Sequence, residues 1–371
     1  MDINFHYFAV KTIARFAGFS ENEAQRIAGY SQFVDDYNPF LNYTFETIPD
    51  FMLGETALVS KSDGGYTLKT IQTGFPQTID YAPLFFSSNQ ISYCVPFHFI
   101  TQYGYQKNKR LEERYQYRTL PAGIDGTQLI SEMLQATKAT YLRNVTDNIT
   151  LTRSSLEIKI GMLLHIFADT YAHQRFSGVA GWENYASLIS SSDNYTTKDE
   201  GLIAGKFFDV SISVGHMWVG TVPDETYLSF TMKQARNSSE NSEHKYSDIY
   251  SRSNTRTFLY AARQIYTYLY QLKNNDRKPT IADEMQWEEL SEILRLGFNA
   301  RGNNIEKLKA VWTDASYDAY NYAYDAKDFW QNQLTAQSSV SASAGYYVSA
   351  LDDFFLYNLY AKQIRSRVIG Y

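Results

Sequence analysis

The residues with the clearest chemical content fall in one run, Leu164-His165-Ile166-Phe167-Ala168-Asp169-Thr170-Tyr171-Ala172-His173. Histidine is scarce in this chain, six in 371 residues, so two of them flanking an aspartate at intervals of four form a distinctive pattern. On a helix each step of four advances about 40° around the axis, so His165, Asp169 and His173 form one row. Imidazole nitrogen and carboxylate oxygen are the donors zinc takes where cysteine is absent. Cys94 stands alone, which excludes both a cysteine-rich metal site and an internal disulfide. A His/Asp pair at i, i+4 is also an ordinary ion pair. The third member at i+8 favours metal, as does the apolar company of Ile160, Leu163, Leu164 and Phe167, because buried charge is costly unless paired or metal-bound.

Other residues are candidates to complete the site. His6 lies on an apolar first helix, with Asp2 one turn before it. Asp35 and Asp36 close a second apolar helix, where negative charge opposes the helix dipole. One of the two would bridge metals or accept the proton of an attacking water; the sequence leaves open which. His98 follows Pro96-Phe97, His216 follows Gly215, and Asp224 follows Pro223. Glu183, in Gly181-Trp182-Glu183-Asn184, ranks below these as a ligand or base, and His244 sits in a polar run that reads as surface.

These residues resemble the zinc-dependent phospholipases C and the single-strand-specific zinc nucleases. In that superfamily an early histidine, an aspartate ending the next helix, and a His-x3-Asp/Glu helix with a later histidine hold up to three metals. The resemblance implies those roles for His6, for Asp35 or Asp36, and for His165, Asp169 and His173. It also implies two or three zinc ions, a mainly α multi-helix bundle, and hydrolysis of a phospholipid or a nucleic-acid-like phosphodiester. The chain departs from the pattern in three ways. The superfamily ligates metal through an amino terminus freed from a signal peptide, whereas no signal is visible here and Asp2 would leave Met1 in place. The Asp169-to-His173 spacing is short, and the later His-x3-Glu pair is replaced only loosely by His216 with Asp224. The opening Met1-Asp2-Ile3-Asn4-Phe5-His6-Tyr7, Ala168 to Gln174, and Gly215-His216 are also similar to an uncharacterised bacterial family.

The elements that must position these residues are mostly helical. Phe5, Phe8, Ala9, Ile13 and Phe16 form a helical stripe over 5–17 that Gly18 ends. Ser20 with Glu23 is a capping box opening a helix that ends at Asp35-Asp36. Further helices are expected over 127–142, 154–175, 200–215, 256–273, 283–297, 304–330 and 346–367, with 337–344 as a linker. Within 56–100, Tyr66-Thr67-Leu68-Lys69-Thr70-Ile71 alternates after Gly64-Gly65, so this stretch is expected to be a small β-hairpin insertion. Polar segments 190–200 and 234–255 read as loops, the second exposed. The expectation is one helical domain over 1–371, without internal repeats.

Net charge is -6, which argues against a duplex-nucleic-acid surface and leaves a small-molecule or lipid phosphoester as the expected substrate. No run of apolar residues is long enough for a membrane span, and a cytoplasmic address is the default expectation, with export by a signal-independent route compatible. Two other classes fit the same residues: a metal-dependent amide or ester hydrolase, and a non-enzymatic helical binding or toxin-like module with a structural metal. Glu-x-x-His pairs, a Gly-x-Ser-x-Gly elbow and phosphate-binding glycine loops are all absent.

Overall fold

A computed structural model describes residues 1–38, 42–63, 65–74, 86–193, 214–240, 246–302, 304–316, 319–329 and 347–370. The chain opens with a π-helical turn over Asn4–Ala9 that runs into helix α1, Val10–Phe16. Helix α2, Glu21–Asp36, begins at Ser20, whose Oγ accepts from the Glu23 N–H while the Glu23 carboxylate accepts from the Ser20 N–H at 2.7 Å. The expected capping box is therefore in place. Helices α3, Leu129–Arg143, and α4, Arg153–Ala172, follow. Then come α5, Asn254–Lys273; α6, Ile281–Phe298; α7, Ile305–Ala315; and α8, Tyr347–Ile369.

Helix α4 is the axis of the molecule. From Ser155 to Ala172 every residue except Lys159 is buried. Such all-round burial belongs to a helix enclosed by others, and α2, α3, α5 and α8 all pack against it. The α2–α4 crossing is close because Gly161 has no side chain: a Cβ there would lie 2.4 Å from the Ile27 carbonyl and 3.0 Å from the Ser31 nitrogen. One continuous apolar core runs from Met1 to Val368, with Phe5, Phe8, Phe33, Trp312, Tyr322 and Tyr357 among its rings.

The expectation of a mainly α multi-helix bundle with one small hairpin insertion is corrected by two three-stranded antiparallel sheets; the chain is predominantly helical but mixed. In the first, β1 (Tyr43–Phe45) joins the expected hairpin of β2 (Val59–Ser62) and β3 (Gly65–Leu68) in the order β1-β3-β2. The remainder of that insertion, from Ser87 to Phe97, is short helical turns. In the second sheet, β4 (Ala186–Ser191), β5 (Ser229–Gln234) and β6 (Asp248–Ser253) pair in sequence order. Segment 234–255 is thus not simply an exposed loop. Its strand β6 hides Arg252 while presenting Ile249 and Ser251 to solvent. The hydroxyl-rich outer face, such as Ser229 and Ser251, makes these strands read as polar, yet the alternating inner residues Phe230 and Met232 are buried. Helix α7 ends at Ala315, well short of the expected 330, and the helix expected over 200–215 and the linker at 337–344 lie outside the described residues. Among the described residues no helix is long and apolar enough to cross a membrane.

The α2–α4 approach yields a stability prediction. Gly161→Ala gains about 0.5–1 kcal/mol of helix propensity but overpacks two backbones, which costs about 1–3 kcal/mol. Urea unfolding is expected to show a net loss of about 1–2 kcal/mol; a more stable Ala variant would contradict the crossing.

Candidate metal centre

Helix α4 carries the central row. The His165 and Asp169 side chains are 0% and 1% exposed, and His165 Nε2 lies 3.3 Å from Asp169 Oδ2. The helix ends at Ala172, and His173 caps it, its N–H donating to the Asp169 carbonyl at 2.8 Å. His173 therefore stays on the row one step beyond the helix, and Arg175 turns the chain away with φ 77°.

Three other segments bring ligands to this row. The opening π-turn, a winding frequent at functional sites, places the His6 ring on that of His165, centroids 3.8 Å apart, with His6 Nε2 3.1 Å from Asp169 Oδ1. Asp35, next to last in α2, lies with Oδ1 3.7 Å from both His98 Nδ1 and His165 Nε2. His98 follows the short helix Val95–Phe97; its Nδ1 is 3.2 Å from Asp169 Oδ2 and 3.3 Å from His165 Nε2. On the other side of Asp169, Asp224 bridges two imidazoles, with His173 Nε2 and His216 Nε2 each 3.1 Å away. The ligand atoms form three groups, each within 4.8 Å: His6, His165 and Asp169; Asp35, His98 and His165; His173, His216 and Asp224.

Backbone carbonyls fix three of the rings. His98 Nε2 faces the Thr73 carbonyl at 2.7 Å, His173 Nδ1 the His98 carbonyl at 2.7 Å, and His216 Nδ1 the Gly220 carbonyl at 2.8 Å. A carbonyl only accepts, so these nitrogens carry the hydrogen, and in the neutral ring the other nitrogen aims a lone pair at the carboxylates. Orientation of a ligand histidine through its second nitrogen is a common device of metal sites. Thr73 is itself held, its hydroxyl lying 2.9 Å from the Val34 carbonyl and 2.7 Å from the Tyr357 hydroxyl of α8. His6 Nδ1 and His165 Nδ1 are buried without a hydrogen-bond partner among the described residues.

The charge balance is unusual for so enclosed a place. Burial, and the neighbouring His165, hold His6 well below its ordinary value; burial likewise lowers His165 to about 4. Both rings are therefore neutral near pH 7. Burial opposes ionisation of Asp169, but His173, the Met1 amine, His165 and His6 together hold it well below the carboxylate range. Asp224 behaves alike: burial raises it, and His216 and the Met1 amine overcome that. Burial and the Asp169 carboxylate push Asp35 well above its ordinary value. The Met1 ammonium sits between the two halves, 2.5 Å from Asp169 Oδ1 and 3.3 Å from Asp224 Oδ1. Among the described residues a single amine faces three carboxyl groups and a shell of imidazole nitrogens, an arrangement that could hold a cation.

The structure brings together His6, Asp35, His98, His165, Asp169, His173, His216 and Asp224. Asp36 is corrected: its carboxylate accepts from the Tyr324 hydroxyl at 2.6 Å and from Gln32 at 3.3 Å, and it belongs to none of the three groups. Adjacent helical residues point about 100° apart, so only one of Asp35 and Asp36 can face α4. Asp2 stands beside the centre rather than in it; burial and the Glu225 carboxylate push it up to about 8. Glu183 is no ligand here, being buried in a two-pronged pair with Arg114 at 2.7 and 2.9 Å. His244 lies outside the described residues. The Met1 amine and the Thr73 carbonyl were missing from the sequence-derived set. Both are backbone groups; the amino-terminal ligation in the superfamily that the chain resembles, and the closeness of Met1 to His6 in the chain, hint at the first.

Fold and site together define a predominantly helical protein with His/Asp groups that could hold metal ions. The chain belongs to a family of unknown function, DUF6765, whose profile matches residues 1–370. No curated protein and no solved structure matches it.

The two halves of the centre differ in proton affinity. His216 is raised, because the neighbouring Asp224 outweighs burial, whereas His6 and His165 are lowered. Below its raised value metal must displace a proton from His216, whereas His6 and His165 hold none until lower pH. Zinc titrations at descending pH are expected to lose the His173/His216/Asp224 ion before the His6/His165/Asp169 ion; simultaneous loss of the two would contradict this. For metal-free protein the sign also follows. The unfolded His165 takes a proton below about 6.5 that the folded one refuses until about 4. This contribution therefore makes stability fall as pH drops through that window, read by thermal melts; a rise would contradict it.

Proposed function

We propose that this protein is a metal-dependent hydrolase of phosphoesters, acting on phosphodiesters in preference to monoesters, with two or three zinc ions. The observation that carries the reading is the sharing of ligands: His165 belongs to two of the groups, and Asp169 lies within 3.5 Å of His6, His98, His165 and His173. Neighbouring sites of this kind suit the in-line displacement at phosphorus, where attacking and leaving oxygens both need stabilisation. Ions held there would supply Lewis-acid polarisation of the phosphoryl oxygens and a nucleophilic water near neutral pH.

The chain's own residues supply the rest. His6, His98, His165 and Asp169 bind on the enclosed side, and their burial excludes water. Asp35, Asp224 and His216 keep 27%, 18% and 16% of their side chains exposed, so the centre opens toward them. This openness favours a reactive over a purely structural centre. Asp35, the partly exposed carboxylate of its group, is placed either to hold an ion or to accept the proton of an incoming water.

The test is elemental analysis beside hydrolysis of bis(p-nitrophenyl) phosphate and of a short-chain phospholipid. Wild-type protein is expected to carry at least two zinc equivalents and to turn over a phosphodiester. His165→Ala and Asp169→Asn are each expected to lower that activity by more than roughly a hundredfold, while Asp36→Asn retains it. Full activity in the His165 and Asp169 variants, or zinc-free wild type after reconstitution, would overturn the reading.

A further inference from the structure

Arg252 is a buried cation, 7% exposed, with no carboxylate among its hydrogen-bond acceptors in the described residues. Its Nη1 donates to the carbonyls of Tyr171 and Ala172, both at 2.8 Å, and its Nη2 to the carbonyl of Pro223 at 2.6 Å. Its Nε donates to Asn254 Oδ1 at 2.7 Å, and the guanidinium lies over the rings of Phe230 and Phe258. Burying a guanidinium this way is expensive, and burial lowers it to about 10.

The acceptors show what that cost achieves. Tyr171 and Ala172 supply the last carbonyls of α4, which have no partner inside the helix and form its negative end. The next residue is His173. Pro223 immediately precedes Asp224. Asn254 extends the grip, its Nδ2 donating to the carbonyls of Val222 at 2.8 Å and Glu225 at 2.7 Å, on either side of Asp224. One planar fork therefore ties the end of the ligand helix to the loop that carries the opposing ligand. None of these bonds reaches the His6, His98 or Asp35 segments.

We infer that Arg252, assisted by Asn254, is the positioning residue of the His173/His216/Asp224 group: it sets the separation of His173 and Asp224 and thereby the affinity of that one ion. The inference rests on the reading of these three residues as metal ligands. A lysine keeps the charge but lacks the planar fork that spans three carbonyls, so charge and geometry separate in one substitution.

The experiment compares wild type, Arg252→Lys, Asn254→Ser and His216→Ala in two measurements. The first is zinc stoichiometry and affinity. The second is amide hydrogen exchange of the chelator-treated proteins over 219–227. Arg252→Lys is expected to weaken one zinc equivalent by roughly 10–100-fold, to leave the others unchanged, and to speed exchange in that segment. His216→Ala is expected to lose the same equivalent, and adding Arg252→Lys to it to cost no further zinc. Asn254→Ser, which releases only the loop half, is expected to act in the same direction and serves where Arg252→Lys does not fold. Unaltered affinity for every zinc in folded Arg252→Lys, or equal weakening of all of them, would overturn the inference. Wild-type protein that takes up no zinc would overturn the site reading instead. Exchange would then decide the clamp alone: faster exchange confined to 219–227 upholds it, and unchanged exchange ends it.

Discussion

Asp169 is an ionised carboxylate in the interior of a helix that is buried on every side, and much of the molecule serves to make that tolerable. Isolated, such a charge is costly enough that the group takes up a proton instead. Here the Met1 ammonium lies against one of its oxygens, and the rings of His6, His98, His165 and His173 stand within 3.5 Å of the pair. Those partners can meet only if the elements carrying them converge on α4. The same gathering leaves Asp35 and Asp224 on the flanks of Asp169, with more acidic oxygen than the single amine balances. The constraint that shapes the fold thus produces a place for cations.

The supporting elements come from far along the chain. Helix α8 reaches the centre through the Tyr357 hydroxyl on Thr73, whose carbonyl orients His98. Strand β6 reaches it through Arg252. Among the described residues the last third of the sequence contributes none to the three ligand groups, yet it fixes the direction of one ligand and the spacing of two.

Much of this was legible in the sequence where side-chain type and spacing carried the information. The row of His165, Asp169 and His173 and the Ser20–Glu23 box depend on local helical geometry alone, and both stand in the structure. The choice between Asp35 and Asp36 depends on which face of α2 meets α4, a tertiary fact. The second sheet escaped notice because β4 and β5 are separated by nearly forty residues in the chain, and their outer faces are rich in hydroxyl side chains. The expected mainly α bundle with one hairpin failed there for that reason. Main-chain partners such as the Thr73 carbonyl and the Met1 amine carry no residue-type signal.

The central claim is that these groups bind metal ions at separate, neighbouring positions. Crystals soaked in zinc and measured on both sides of the zinc absorption edge test it most directly. At least two anomalous peaks are expected, one against Asp169 with His165 and one against Asp224 with His173 and His216. Anomalous density at surface carboxylates only, with none at Asp169 or Asp224, would contradict it.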